Sequence, residues 1–279
     1  MKYTLTIGWL YPELMSTYGD RGNIMVLQKR CIWRDIEVTI LPITKETTDT
    51  QLQSIDLLFG GGAQDRAQEM VMDDLRKRGK VIKKLIEQDV PALFVCGAPQ
   101  LMGTYYEPAE GKRIEGLGIF DMVSKHPGTK AERLIGNLVA EINIDVIARS
   151  QKTTKQSLKK IAVSSFDTVR TSRNDVIVGF ENHGGRTYLG ENTKPFAKVI
   201  KGFGNNGKDG TEGVVYKNAI GCYLHGPLLP KNPGLADYLI TQALEVKYKE
   251  EITLAPLDDS LEKKAQEMIL QKLGIRLKV

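Results

Sequence analysis

The sequence predicts one α/β domain over residues 1–279, built on an open, mostly parallel, doubly wound sheet with antiparallel additions in its second half. Through the first hundred residues, short continuously apolar segments alternate with helical patterns, as expected of parallel strands buried on both faces. The second half carries more strand signals, and glycine- and asparagine-rich turns separate several of them. A chain of 279 residues can bury a sizeable core in one such domain.

The first-half elements follow one another in the order that a parallel sheet requires. The N-terminal apolar run is broken by Pro12 and Glu13 and lacks a cleavage pattern, so we expect a strand rather than a signal peptide. The predicted elements in chain order are a strand over Tyr3–Leu10, a helix over Gly22–Arg34, a strand over Ile36–Pro42, a buried strand over Ile55–Phe59, a helix over Asp65–Gln88 interrupted near Gly79, and a buried strand over Ala92–Val95.

The second half is predicted to add strands and then to close with C-terminal helices at about 233–274. One helix begins near Asn232-Pro233, where Asn can cap and Pro suits the first helical position. A last helix over Leu261–Leu273 shows apolar residues at helical spacing. The predicted strands are Leu134–Ile142, Val176–Glu181, Ala197–Lys201, Gly213–Tyr216 and Ala219–Leu224.

The net charge of +5 comes from one segment. Residues 149–173 hold seven of the 39 basic residues and one of the 34 acidic residues, so the remainder is nearly neutral. We interpret this segment as a basic surface insertion, with a partner or membrane-surface contact as the alternative, and not as a nucleic-acid-binding face. Three cysteines make a sparse, odd set that argues against disulfides and favours the cytoplasm. No apolar run approaches the ~20 residues that span a bilayer.

The most informative window is Leu93–Gly103, in which a buried strand leads directly into Cys96. Small residues follow the cysteine, and Pro99 suits the first turn of a helix. This layout is typical of a nucleophile elbow, a sharp turn that lifts a reactive side chain out of the sheet. The helix N-terminus would favour a thiolate, and the Gly97 N–H could help to hold an oxyanion. The alternative is a buried structural cysteine.

A second oxyanion donor usually comes from another loop. Gly60-Gly61-Gly62 follow the preceding core strand and have no side chains that would block a ligand, so Gly61 and Gly62 are candidates. The alternative for this loop is a plain strand-to-helix turn.

The base for a cysteine nucleophile must be one of three histidines. His225 ends the strand Ala219–Leu224, and strand alternation places it on the face opposite Cys222. This position suits a base that reaches across a cleft, although a strand-end histidine is more often a capping or surface residue. His183 is a rival base or a pocket residue, and His126 lies in a turn that we expect to be exposed.

Two further patterns do not indicate a site. Cys222 and His225 have a spacing known from zinc sites, but they lie on opposite strand faces and no second pair exists, so we predict no metal. The segment Gly202–Asp209 nearly matches a phosphate-binding loop, yet it ends in Asp rather than Ser or Thr and lies between strands. We predict a hairpin turn there and no ATP site.

Together these motifs resemble those of class I glutamine amidotransferases, whose cysteine elbow carries a glutamine four residues on, as Cys96 and Gln100 stand here. The ending Gly221–Pro227 is similar to the histidine motif of the cobyric acid synthase-like (CobB/CobQ-like) branch. Within that branch the chain resembles the GatD family of glutaminase subunits of lipid II isoglutaminyl synthase. The stretches that carry this resemblance are Tyr18–Asn23, Gly60–Gly62, Gly116–Ile119, Gly179–Tyr188 and His225–Asn232.

The resemblance implies a flavodoxin-like three-layer fold and hydrolysis of L-glutamine through a glutamyl thioester. Cys96 would be the nucleophile and His225 its base. Arg133 matches a family arginine linked to substrate access. The residues that would hold the substrate or its oxyanion are Gly61, Gly62, Gly97, Gln100, Arg133 and His183.

The resemblance also implies a division of labour between two chains. Ammonia would pass to a MurT-like partner with a Mur-ligase fold, and that partner would use ATP and Mg to amidate the D-glutamate of lipid II in peptidoglycan synthesis. This chain itself would need no cofactor.

The chain departs from the family pattern at three places, one of which is the basic insertion at 149–173, which is longer than the family norm. Ala98-Pro99 stands in the elbow where relatives carry glycine and an aromatic residue. Pro227 stands two residues after His225, where many relatives carry Glu. The resemblance therefore implies a Cys–His dyad, or a third group from elsewhere in the chain.

Two other functions stay open. A corrinoid-type amidotransferase would share the cysteine and histidine motifs, but such enzymes carry an ATP-using domain for which this chain has no room. A non-catalytic scaffold with an inactive elbow is the other possibility, and Pro99 is the best argument for it.

Overall fold

The computed structural model describes residues 3–143 and 176–276, so the predicted basic insertion at 149–173 lies outside the described residues. The strands are β1 (Tyr3–Leu10), β2 (Ile36–Ile43), β3 (Leu57–Gly60), β4 (Ala92–Val95), β5 (Tyr105–Glu107), β6 (Ile114–Glu115), β7 (Met122–Lys125), β8 (Leu134–Ile142), β9 (Val176–His183), β10 (Arg186–Leu189), β11 (Ala197–Lys201), β12 (Thr211–Glu212), β13 (Val214–Tyr216) and β14 (Ala219–Cys222). The helices are α1 (Arg21–Ile32), α2 (Asp49–Gln53), α3 (Asp65–Glu87), α4 (Gly97–Met102), α5 (Pro233–Tyr248) and α6 (Ser260–Lys272). None of the helices in these two ranges is long and apolar enough to cross a membrane.

The central sheet has the strand order β13-β14-β4-β3-β1-β2 within the described ranges. Its strands are parallel to their neighbours except β13, which joins the edge antiparallel to β14. Cys222 of β14 pairs with Val95 of β4. The chain therefore leaves both strands at the same edge of the sheet, and this places Cys96 and the segment that leads to His225 side by side.

Helices pack on both faces of this sheet. Along β4, Leu93 and Val95 join a core that includes residues of α1 and α5, whereas Ala92 and Phe94 join a core that includes residues of α3. A strand that is buried on both faces needs apolar residues at every position, which is why the sequence pattern here is continuous. The predicted fold class, a doubly wound three-layer α/β arrangement, is confirmed.

The second half adds two smaller sheets, with the strand orders β10-β7-β5-β6 and β12-β11-β8-β9. In the second of these, β8 and β9 form a long antiparallel pair that runs from Leu134 opposite His183 to Glu141 opposite Val176. Phe180 of β9 also bridges to His225, with N–H to carbonyl oxygen distances of 3.1 and 2.7 Å in the two directions. The added sheet thus holds the backbone of His225.

Most predicted elements are found with ends shifted by one or two residues, and two differences have a cause in tertiary packing. Helix α3 runs unbroken through Gly79. The glycine gives Leu117 room to pack against the helix, since a Cβ at position 79 would lie 2.9 Å from Leu117 Cδ2. Strand β14 ends at Cys222 rather than at Leu224, since the chain leaves the sheet to meet β9.

Asn232 precedes α5 as predicted but does not cap it. Its side-chain oxygen accepts the Val178 N–H at 2.9 Å, and its amide nitrogen donates to the Val178 carbonyl at 2.7 Å. The side chain therefore ties the start of α5 to β9 in the manner of a paired strand residue.

A buried ion cluster joins α1 to the C-terminal part of the chain. Arg30 is 2% exposed, and its guanidinium donates to Asp237 at 2.6 and 2.7 Å and to Asp259 at 2.6 Å. One cation thus fastens α1 to α5 and to the residue that precedes α6.

Candidate active site

Cys96 stands at the turn between β4 and α4, with φ 54° and ψ −97°. A positive φ is rare for a residue with a side chain and marks a strained turn. The Cys96 N–H donates to the Cys222 carbonyl at 2.8 Å, and the residue is 8% exposed. The turn thus raises Cys96 to the edge of the sheet, at the N-terminus of α4, as a nucleophile elbow does.

Small residues allow this turn to pack closely. A Cβ at Gly60 would lie 2.9 Å from Ala98 Cβ. Pro99 is the third residue of α4, where a backbone N–H has no intrahelical partner to lose. A Cβ at Gly221 would lie 2.8 Å from the Pro99 ring, which is absent from the lining of the cavity beside Cys96. Pro99 therefore forms no part of the cavity wall.

His225 is held by a carboxylate from a distant part of the chain. Its Nδ1 lies 3.1 Å from Oδ1 of Asp20, and both side chains are fully buried. The other oxygen of Asp20 accepts the Gly62 N–H at 2.6 Å. Because a carboxylate only accepts hydrogen bonds, Nδ1 carries the proton. Nε2 is therefore the ring nitrogen left to interact with Cys96.

The charges around His225 favour its protonated form. Burial alone lowers the pKa of His225, because it penalises the charged imidazolium. The negative charge of Cys96 and the hydrogen bond to Asp20 outweigh burial and raise the pKa to about 10. The residues that act on this ring are therefore Cys96 and Asp20.

Glycines at 61 and 62 are required by the close approach of their loop to this histidine. A Cβ at Gly62 would lie 2.7 Å from His225 Cε1 and 2.5 Å from Thr17 Oγ1. A Cβ at Gly61 would collide with the Met15 carbonyl oxygen. The glycines of this loop therefore leave room for the His225 ring as well as for a ligand beside Cys96.

The backbone N–H groups near the elbow differ in their surroundings. The Gly62 N–H, a candidate for the oxyanion, is engaged by Asp20. Ala63 N, by contrast, lies 2.8 Å from the position of a Cβ at Gly97. Gly97 and Ala63 are thus the backbone groups that border Cys96 from the two loops.

His183, the rival base, has a different environment. Its ring stacks on Tyr223 with centroids 3.7 Å apart, and its Nδ1 lies 2.8 Å from the Gly185 carbonyl oxygen. Burial lowers its pKa, and the neighbouring Glu181 opposes this effect without reversing it. His183 is therefore a neutral residue that lines the same cavity as Cys96.

Arg133 and His126 lie in the cavity wall. Arg133 is exposed and donates to the side-chain and backbone oxygens of Asn182, both at 2.9 Å. The expectation that His126 lies in an exposed turn is wrong. Its N–H donates to the Glu107 carbonyl at 2.7 Å, and its partly buried ring packs against Gly184.

The cavity itself has a volume of about 390 Å³ and a clear polarity. Its charged lining residues are partly or fully exposed and form the mouth; they are Asp65, Arg66 and Arg133. Its floor holds Gln68 and Gln100, which are 1% and 4% exposed. A small zwitterion with an uncharged polar tail fits this arrangement. Across 3–143 and 176–276, no His, Cys, Asp and Glu side chains form a group that could hold a metal ion.

A chain of hydrogen bonds fixes the floor. Gln68 Nε2 donates to Gln100 Oε1 at 3.0 Å, and Gln100 Nε2 donates to the Tyr223 hydroxyl at 3.0 Å. Thr187 links the Tyr223 hydroxyl, at 2.7 Å, to the Ser124 hydroxyl, at 2.6 Å. Both ends of the Gln100 amide are therefore bonded within the protein.

Sequence reasoning missed two residues of this site. Asp20 lies within the stretch Tyr18–Asn23 that carries the resemblance, but nothing local indicates a partner 205 positions away. Gln68 reads only as a polar position of helix α3. The first could have been suspected from its motif, whereas the second carried no signal.

Comparisons with known proteins identify the family of this chain. Residues 6–233 match the family of CobB/CobQ-like glutamine amidotransferase domains. The chain is 37% identical over 265 residues to the lipid II isoglutaminyl synthase (glutamine-hydrolyzing) subunit GatD of Streptococcus pneumoniae strain R6, a match that covers 95% of this chain and 90% of the relative. It is 35% identical to the GatD subunit of Staphylococcus aureus strain N315, covering 97% and 96%. A probable cobyric acid synthase of Methanosphaera stadtmanae is 26% identical over 80% of this chain but only 38% of its own length.

Solved structures show the same fold at low sequence identity. A crystal structure of a glutamine amidotransferase matches with a TM-score of 0.52 and 12% identity, over 85% of this chain and 98% of that one. The glutaminase domain of Trypanosoma brucei CTPS with bound acivicin matches with a TM-score of 0.51 and 13% identity, over 90% and 96%. These likenesses support the fold class.

Proposed function

The chain belongs to the CobB/CobQ-like glutamine amidotransferases and, within them, to the GatD family, and on this premise we propose that it is the glutaminase subunit of a lipid II isoglutaminyl synthase. As a member of that family it is a glutamine-hydrolysing amidotransferase. The finer proposals concern the residues that act, the covalent intermediate and the partner.

Cys96 is proposed as the nucleophile and His225 as its base. The raised pKa of His225 makes the imidazolium the resting form at neutral pH, and this cation favours a thiolate at Cys96. Asp20 holds the ring through Nδ1 and so directs Nε2 to the reaction. This buried constellation at the carboxyl edge of the sheet is the observation that carries the proposal.

In the first step, the sulfur attacks the γ-amide carbon of glutamine, and the carbonyl oxygen takes up negative charge. The N–H groups of Gly97 and Ala63 are proposed as oxyanion donors, since the Gly62 N–H is bonded to Asp20. His225 gives its proton to the departing nitrogen, which leaves as ammonia, and a cysteinyl thioester remains. His225 then takes a proton from water, whose oxygen attacks the thioester and releases glutamate.

The partner is proposed to be a MurT-like chain with a Mur-ligase fold. The names of the two GatD relatives describe a subunit, which supports a second chain. Ammonia would pass to this partner, which would use ATP and Mg to convert the D-glutamate of lipid II to D-isoglutamine. The segment Gly202–Asp209 lies between the antiparallel strands β11 and β12, as the predicted hairpin turn requires.

The alternative function, a corrinoid-type amidotransferase, is less well supported. The chain covers 90% and 96% of the two GatD subunits but 38% of the cobyric acid synthase, whose additional length has no counterpart in the match. An assay that offers ATP and either lipid II or a corrinoid acid to the two-chain complex separates these acceptors.

The glutaminase proposal is tested with the chain in complex with its ligase partner. Wild type should release glutamate and ammonia from glutamine, and Cys96→Ala and His225→Ala should lower the rate by at least about 10³-fold. Mass spectrometry of a rapidly acid-quenched reaction should find a glutamyl adduct on Cys96. A wild-type complex that releases no ammonia would instead favour a non-catalytic scaffold.

A further inference from the structure

The floor of the cavity contains a hydrogen-bond acceptor that the protein does not use. Gln68 is 1% exposed and lines the cavity together with Cys96. Its Oε1 accepts no hydrogen bond from any residue within the described ranges. Buried polar atoms in native proteins nearly always have a partner, so an unpaired acceptor in a binding cavity points to a donor on the ligand.

The orientation of this amide is fixed by its neighbours. Gln68 Nε2 donates to the Ala63 carbonyl at 3.1 Å, and that backbone oxygen can only accept. The same nitrogen donates to Gln100 Oε1, and the Gln100 nitrogen is used by Tyr223. Turning the Gln68 amide over would bring two oxygens together at Ala63. The free position on Gln68 is therefore an acceptor and not a donor.

The acceptor lies near the reacting end of the cavity. A Cβ at Gly97 would lie 3.1 Å from Gln68 Nε2, so the Gln68 amide borders the residue that follows Cys96. The charged residues that could balance the ammonium and carboxylate of an amino acid lie at the exposed mouth. A glutamine bound with its charged groups at the mouth extends its side-chain amide towards Cys96, on the floor that Gln68 forms.

We propose that Gln68 Oε1 accepts a hydrogen bond from the γ-amide NH₂ of the substrate and thereby selects for an amide leaving group. This inference rests on the proposed glutaminase function. Glutamate, the product, presents ionised carboxylate oxygens that only accept, so it places acceptor against acceptor at Gln68. The same residue would therefore hold the substrate and disfavour the product.

The test compares two substrates that differ at the leaving group. L-Glutamine and L-glutamate γ-methyl ester share their charged groups, but the ester has no N–H on its leaving atom. With the full chain in its ligase complex, Gln68→Met should lower kcat/KM for glutamine about 10- to 100-fold and leave that for the ester within about threefold. Gln242→Met removes a buried glutamine outside this cavity and should leave both values unchanged.

Each outcome decides one point. The ratio of the two kcat/KM values does not depend on the folded fraction, and Gln68→Leu provides a second variant if Gln68→Met is unstable. An equal loss of kcat/KM for both substrates would show that Gln68 binds the charged groups of the substrate or stabilises the fold. No loss of kcat/KM for either substrate would show that Gln68 makes no contact important for hydrolysis. Both results overturn the inference. Failure of wild type to hydrolyse glutamine would instead overturn the proposed function.

Discussion

Replacing Asp20 with asparagine should leave the shape of the site intact and yet remove most of its activity. In wild type the carboxylate accepts from Gly62 N–H with one oxygen and from His225 Nδ1–H with the other. The Gly62 N–H can only donate, so the asparagine must turn its oxygen towards Gly62 and its NH₂ towards Nδ1. Nδ1 must then accept, which moves the ring proton of neutral His225 to Nε2, the nitrogen that should take the proton of Cys96.

The expected magnitude has two parts. Loss of a buried hydrogen bond to a charged group costs about 1.5–3 kcal/mol, or about 10- to 150-fold in the population of the productive state. Placing the ring proton on the wrong nitrogen adds to this loss of activity. The corresponding Asp-to-Asn change in a Ser-His-Asp triad lowers kcat by about 10⁴-fold. We therefore expect kcat to fall about 10²- to 10⁴-fold. KM should change little, because Asp20 does not line the cavity.

A coupled assay of glutamate release from the two-chain complex measures both constants. Asp56→Asn is the matched control, since Asp56 also accepts a backbone N–H, from Thr6 at 2.8 Å, but lies outside the cavity. The activity of this control variant should stay within about threefold of wild type. An Asp20→Asn enzyme that keeps a third or more of wild-type kcat would refute the role of the carboxylate in selecting the tautomer.

Three further predictions concern the loop, the histidine and the ion cluster. Gly62→Ala should abolish glutamine hydrolysis, because its Cβ would lie 2.7 Å from His225 Cε1, whereas Gly234→Ala, with open space around it, should keep wild-type rates in the same assay. Because the folded-state pKa of His225 is raised to about 10, NMR should show a protonated ring at pH 8, and Cys96→Ala should lower this pKa. The charge pair of His225 and Cys96 stabilises the wild-type fold fully below about pH 6.5, and this contribution should disappear as the pH rises through 10. An unchanged His225 titration in Cys96→Ala would contradict this coupling. Arg30→Met should lower the free energy of unfolding by about 1–3 kcal/mol, since it removes the guanidinium from partly buried Asp259 and leaves Asp237 paired with Arg34 alone. A loss below about 0.5 kcal/mol in a denaturant titration would count against this role of Arg30.

The parts of the fold that depend on local pattern could be predicted. The continuous apolar run of β4 identified a strand buried on both faces, and the small residues after it identified the turn that carries Cys96. His225 could be placed near the end of a strand, although β14 ends at Cys222, before the predicted boundary. These features are encoded within about ten consecutive residues, so they appear in a linear reading of the sequence.

The parts of the fold and of the site that depend on long-range packing could not be predicted from the sequence. Asp20 reaches His225 only because β1 and β14 end at the same edge of one sheet, and strand order is not written in any local pattern. Gly79 has the character of a helix breaker until Leu117 packs against it. Asn232 has the character of a cap, but β9 offers it two backbone partners. In each case a tertiary contact overrides the local preference.

The β8–β9 pair also sets where a reporter group can be attached at a known distance from the cavity. The pairing runs in register from Leu134–His183, beside the cavity, to Glu141–Val176, seven residues further along. At about 3.3 Å per residue, the two ends lie about 23 Å apart. The Glu141–Val176 end of the pair is the end away from the cavity. A fluorescent label attached at Glu141 would therefore be held by strand pairing, at a distance from the chemistry it reports on.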